Sequence, residues 1–187
     1  MLYRILADRR NFFMMSFSHA FMMDSFKRGK PIANDPSPVL YADDWVAPDV
    51  KFVDGYPENK QEKAMCDILY DMGHLFLTEY ASEVLKTYLR EGELLPVTYD
   101  NKNGFIFNPL KILEANTTMS LRDNNGDISS LAFDGEAPVF KTEFDRYSGV
   151  YCNSEFKNAI EKAGLKGAVF SADLSATFIT DNKEGSH

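Results

Sequence analysis

Apolar and polar positions along the chain spell one arrangement twice, in FLTEYASEVLKTYLREGELLPV (Phe76 to Val97) and in VYCNSEFKNAIEKAGLKGAVF (Val150 to Phe170). Each copy passes from a short apolar strand through a polar residue into an amphipathic helix, a glycine and a second apolar strand. Thr78 and Asn153 stand at the helix N-caps, where a side-chain oxygen accepts from a backbone N–H that has no intrahelical partner. Beyond the caps, Ala81, Val84, Leu85, Tyr88 and Leu89 follow the i, i+3, i+4, i+7, i+8 spacing of a buried helix face. Phe156, Ala159, Ile160 and Ala163 follow it one turn shorter. Gly92 and Gly164 are expected to end the two helices.

The remaining elements are shorter. Leu2 to Leu6 reads as a first strand. Asn11 to Met23 is apolar, yet Asp8, Arg9 and Arg10 precede it, Ser16, Ser18 and His19 interrupt it, and no small-residue cleavage site follows before Lys27 and Arg28. It therefore reads as core strands or a short helix rather than a signal peptide, and it falls far short of a membrane span. Gly29 to Pro57 is punctuated by Pro31, Pro36, Pro38, Pro48 and Pro57, which excludes helix and leaves loops and short edge strands, at Val39 to Ala42 and Val50 to Val53. From Asn59 to Gly73, the spacing of Ala64, Met65, Ile68, Leu69 and Met72 predicts a helix capped by Asn59 and stopped by Gly73. Leu94 to Tyr99 and Gly104 to Leu110 flank the turn-forming Asp100 to Asn103 and read as a hairpin. Thr118 to Arg122 and Ile128 to Phe133 form a second one, and Val139 to Thr142 leads into the second repeat. The sum is an α+β domain: a mainly antiparallel sheet carrying about three packed helices and a duplicated strand–helix–strand unit.

A length of 187 residues suits one such domain, with a loop-rich part over 1–58, a repeat-containing core over 59–175 and a tail over 176–187. The net charge of −8 repels phosphate backbones and argues against nucleic acid as a partner. It suits a basic protein partner, or solubility alone. The two cysteines, Cys66 and Cys152, lack CxxC spacing and read as reduced, buried thiols of a cytoplasmic protein.

Catalytic and metal signatures are missing. Asp123, Asn125 and Asp127 have the alternating oxygens of an EF-hand, but Ile128 occupies the position that needs glycine and no Glu closes the loop, so a turn is expected. His19, His74 and His187 form no zinc spacing. Cys66 and His74, on the helix expected there, would stand about 12 Å apart at 1.5 Å per residue. Glu91 with Glu93, and Asp43 with Asp44, read as solvated acidic neighbours. No GxSxG, P-loop or dinucleotide fingerprint occurs, so neither catalytic residues nor cofactors nor metals are assigned.

The run LFLTEYASEVLKTYLREGELLPVTYDNKNGFIFNPLKILEA (Leu75 to Ala115) resembles the central block of immunity protein family eleven of bacterial polymorphic toxin systems, formerly a domain of unknown function. The shared features are the F-[LV]-[ST]-E opening, the helix, the L-P-V strand and the hairpin ending in an apolar, Asn-containing strand. Val139 to Leu174 looks like the family's closing block, with Gly164, Leu165, Gly167 and Phe170 in its G-[LIV]-x-G-x-x-F pattern. The resemblance spans Leu75 to Leu174, a little over half the chain, and rests on caps, glycines and apolar positions, with no catalytic residue to carry over. It implies a cytoplasmic, non-enzymatic protein that binds and neutralises a cognate toxin encoded beside it, without nucleic acid or membrane as partner. A small enzyme whose site is assembled from distant residues, and an accessory or scaffold domain of a secretion locus, are the alternatives.

Two segments are candidates for toxin contact. Asp35, Asp43, Asp44, Asp49, Asp54 and Glu58 face only Lys51 between Pro31 and Asn59, interleaved with Tyr41, Trp45 and Tyr56. Aromatics among charges have the composition of interface hot spots, although the same aromatics could anchor a loop to the core. Six further acids from Asp123 to Asp145 face only Lys141. The residues singled out for binding a basic toxin surface are Asp43, Asp44, Trp45, Asp49, Tyr56, Asp123 and Asp127.

Overall fold

The computed structural model describes residues 1–55 and 62–179. Its strands are β1 Leu2–Ala7, β2 Met14–Ser16, β3 Lys51–Val53, β4 Ile68–Asp71, β5 His74–Thr78, β6 Gly92–Tyr99, β7 Lys102–Pro109, β8 Leu121–Arg122, β9 Ile128–Ser130, β10 Val139–Phe140, β11 Val150–Asn153 and β12 Ala168–Ser171. The helices are α1 His19–Lys27, α2 Glu79–Leu85 and α3 Ser154–Ala163. This is the expected α+β class, and no helix among the described residues is long and apolar enough to cross a membrane.

The two sequence repeats fold into the same topology. One four-stranded sheet has the order β4-β5-β7-β6 and the other β10-β11-β1-β12. In the first, β5 and β6 both run antiparallel to β7 between them. In the second, β11 and β12 both run antiparallel to β1. Each repeat is thus a pair of mutually parallel strands joined by a helix and split by one antiparallel strand. That middle strand comes from the hairpin in the first copy and from the N-terminus in the second. Thr78 and Asn153 cap α2 and α3 as expected, accepting from the amides of Ala81 at 3.2 Å and Phe156 at 3.0 Å.

Helices α2 and α3 share one core with both sheets. Ala81, Leu85, Leu89, Phe156 and Ile160 pack with Ile5, Ile68, Leu75, Leu77, Phe107, Val150 and Cys152. The Tyr88 and Phe156 rings meet edge to face at 6.0 Å. The opposite face of the first sheet packs Phe76, Leu95, Val97, Tyr99 and Ile106 against Met15, Ile32, Tyr41 and Val50 of the N-terminal third. A third cluster, around Phe140 and Tyr151, is covered by Leu113, Ile128 and Phe133. Because β5 is covered on both faces, it is apolar without alternation.

Four expectations are corrected. Over its described residues the Asn59 to Gly73 stretch holds β4 instead of a helix, and Asn59 itself lies outside the described residues. Met72 and Gly73, with φ of 41° and 77°, turn β4 into β5. Ile68 and Leu69 then enter different cores, on opposite faces of the sheet. Two adjacent residues that are both buried mimic a helical stripe in a short window, and only the pairing partner across the turn separates the two readings. Gly92 does not end α2: the helix stops at Leu85, the chain continues in an i→i+3 turn from Leu85 to Tyr88, and Gly92 opens β6. The third helix is α1, capped by Ser18, rather than the one expected after Asn59. Finally, Val39 to Ala42 is not a strand, because its backbone groups are held by side chains of β6 and β7.

Candidate partner-binding surface

The proline-rich segment from Asp35 to Val50 is tied down at nearly every step. Lys141 Nζ donates to Pro36 O at 2.8 Å and to Asn108 Oδ1 at 3.1 Å. Asn108 Nδ2 in turn donates to Val39 O at 2.8 Å and to Glu93 Oε2 at 3.0 Å. The Glu93 carboxylate also accepts from the amides of Tyr41, at 3.0 and 3.1 Å, and Ala42, at 2.9 Å. Further on, Trp45 Nε1 donates to Pro96 O at 2.8 Å, and Val50 N and Thr98 N exchange bonds with Thr98 O and Pro48 O along the outer edge of β6. A segment that cannot be helix because of its prolines is therefore fixed by side chains and by the sheet edge it covers.

The segment exposes both apolar and acidic side chains. Leu40 and Val46 are 60% and 67% exposed, and Asp43 and Asp49 are exposed as well. Asp44 is exposed but neutralised: its carboxylate sits 2.7 Å from Lys30 Nζ, which holds its pKa below the usual value, and its carbonyl accepts from Arg28 at 2.6 Å. Trp45 is half-buried, edge to face with Phe21 at 5.7 Å, and packs on the core as an anchor of the segment. Asp49 Oδ1 accepts from Thr98 Oγ1 at 3.0 Å. Tyr56 and Glu58 lie outside the described residues.

Asp123 and Asp127 sit on a separate element, the exposed tip of the β8–β9 hairpin. There Asp123 Oδ1 accepts from the amides of Asn125 and Asp127, both at 2.9 Å, so the oxygens expected to build a turn do so. Among the described residues no group of three or more His, Cys, Asp or Glu could hold a metal ion.

Three residues read as surface charges are interior. Glu93, paired in the sequence reading with exposed Glu91, is 9% exposed and stands in register with buried Leu95, Val97 and Tyr99. That register was the available signal, since a carboxylate on the apolar phase of a strand must be buried and bonded. Lys141 is fully buried, between buried Phe140 and Thr142. Asp145 is buried too, accepting from Gly149 N at 2.7 Å and Tyr151 Oη at 2.8 Å, with the Arg4 guanidinium at 3.9 Å. The acidic imbalance counted from Asp123 to Asp145 is therefore only partly a surface property.

Burial also sets the titrating groups. It drives Lys141 down to about 7, against the opposing pull of Asp35 and Asp145. Burial, with Lys141 nearby, drives His74 down to about 3, so that imidazole is neutral. Burial raises the Cys66 thiol to about 12 and raises the Cys152 thiol as well, the opposite of thiolate activation. Comparison with protein-family models and with curated proteins finds no match to this chain.

Proposed function

We propose that this chain is a non-enzymatic immunity protein that binds and neutralises a cognate toxin domain in the cytoplasm, with the Leu40–Asp49 face as its contact surface. The observation that carries this reading is a segment whose backbone is fixed by side-chain bonds from the sheet while Leu40, Asp43, Val46 and Asp49 along it are all exposed. A surface ordered before encounter loses little conformational entropy on binding. Large exposed apolar side chains together with charged ones are what an interface uses for contact and for steering. Exposed Asp43 and Asp49 suit a basic partner, whereas Asp44 is already matched by Lys30 and contributes less. Half-buried Trp45 supports the face from beneath.

A small-molecule role has one observation in its favour, a cavity of 340 Å³ lined by Leu6, Arg9, Arg10, Tyr70 and Phe178. Against its use as an anion site, the Asp71 carboxyl interacts with Arg9.

The test is binding of the toxin domain encoded beside this gene, measured kinetically with wild type, Leu40→Asp with Val46→Asp, and Asp43→Ala with Asp49→Ala. Loss of the two exposed apolar side chains is expected to raise the dissociation rate by tenfold or more, on the order of the ~1.4 kcal/mol per decade of affinity. Loss of the two acids is expected to slow association and flatten its dependence on salt. Wild-type rates from both variants, in a complex that forms normally, would move the interface elsewhere.

A further inference from the structure

The buried polar chain beneath the Asp35–Trp45 segment joins three elements that are distant in sequence. Lys141 follows β10, Asn108 lies on β7 and Glu93 on β6, and together they hold Pro36 O, Val39 O, Tyr41 N and Ala42 N. Lys141 is the unusual member. Its side chain is fully buried, its two contacts are neutral oxygens, and among the described residues no carboxylate stands within ion-pair distance of it. Asp35 from the held segment and Asp145 from the turn after β10 act on it only from farther away. Neutral His74 on β5 faces it, and Glu93 reaches it only through Asn108.

We propose that Lys141, Asn108 and Glu93 form a strap that positions the Asp35–Trp45 segment, and that the protonation state of Lys141 regulates how firmly the segment is held. A neutral amine has two N–H groups, and Pro36 O and Asn108 Oδ1 satisfy both. An ammonium has three and carries a charge that neither oxygen cancels, so its burial is costly and release of the segment into water relieves it. Acid therefore loosens the strap and base tightens it. With Lys141 near 7 when held and at its ordinary 10.5 when released, linkage makes opening about tenfold more frequent at pH 6 than at pH 8.

The chain carries a built-in reporter, because its single tryptophan, Trp45, sits at the end of this segment with its indole against Phe21 and Pro96. The experiment is a titration of Trp45 emission from pH 5.5 to 9, with far-UV circular dichroism recorded alongside, on wild type, Lys141→Met and His19→Gln. His19 is included because it is exposed at the start of α1, the helix that carries Phe21. Wild type and His19→Gln are expected to show a transition centred near 7 at constant secondary structure, absent in Lys141→Met. A transition that survives in Lys141→Met, or that vanishes in His19→Gln, would overturn the proposal. Should Lys141→Met not fold, amide hydrogen exchange of wild type decides. Corrected for intrinsic rates, exchange at Tyr41 and Ala42 should be about tenfold faster at pH 6 than at pH 8, and equal protection would refute the strap.

The consequence for partner binding rests on the contact role given above to the same segment: the partner should dissociate faster at pH 6 than at pH 8. The emission and exchange readouts need no partner, so a failed toxin interaction and a failed strap give different results.

Discussion

Replacing Glu93 by alanine removes the hub of the buried chain. Its carboxylate serves three donors, the amides of Tyr41 and Ala42 and the Asn108 side chain. A hydrogen bond to a charged group contributes a net ~1.5–3 kcal/mol, and a buried donor left without a partner costs ~1–3 kcal/mol. Three independent losses would total ~4.5–9 kcal/mol. Ala42 is exposed, however, and its freed amide can turn to water, whereas Tyr41 is 2% exposed and Asn108 fully buried. The expected loss is therefore ~3–5 kcal/mol, a large part of a typical domain's stability. Glu91→Ala is the matched control, since its side chain makes an exposed pair with Lys111 at 3.0 Å and its removal should cost less than ~1 kcal/mol. Urea unfolding followed by far-UV circular dichroism and by Trp45 emission measures both variants. In Glu93→Ala the emission transition should precede the loss of secondary structure, because the segment that holds Trp45 is released first. Stabilities of the two variants within ~0.5 kcal/mol of each other would refute the account of the buried chain.

Three further outcomes are expected. Truncating Leu85 or Ile160 to alanine, in the core shared by α2 and α3, should cost ~2–5 kcal/mol each in chemical denaturation. His74 is held near 3 in the folded chain against 6.5 when unfolded, so its contribution is complete above pH 6.5 and is lost as pH falls towards 3, at up to ~1.4 kcal/mol per pH unit; in paired pH-stability curves His74→Gln should lack that slope, and parallel curves would contradict the burial of a neutral imidazole. Gly73→Ala should cost clearly more than Gly164→Ala in thermal or urea unfolding: both glycines have positive φ, a penalty of ~1–2 kcal/mol for alanine, but a Cβ at Gly73 would lie 2.5 Å from Tyr147 O and 2.8 Å from Pro36 Cβ, while at Gly164 it meets nothing within 4 Å.

The parts of the fold legible in the sequence are those whose causes are local. A capping oxygen reaches an amide three residues on, so Thr78 and Asn153 mark their helices without help from the rest of the chain. Asp100 and Asn101, with φ of 46° and 59°, turn β6 into β7 where the turn composition placed a hairpin. The β4–β5 hairpin was hidden because Met72 lacks the usual turn chemistry and because Ile68 and Leu69 are both buried, on opposite faces. Composition singled out Asp43 and Asp49 in the proline-rich segment, and both are exposed. What holds that segment was not legible: Glu93 and Tyr41 are separated by 52 residues and Lys141 and Pro36 by 105.

By itself the sequence determined the duplicated strand–helix–strand pattern, its caps and the α+β class, since each follows from spacings of a few residues and from backbone stereochemistry. Tertiary structure alone decided that the two repeats are completed by different strands, β7 and β1, and that Asp44 is matched by Lys30. It also decided that the charges at Glu93, Lys141 and Asp145 face inward. A charged side chain has the same formula on the surface and in the core. Its desolvation, its partners and hence its role depend on which distant segments fold against it.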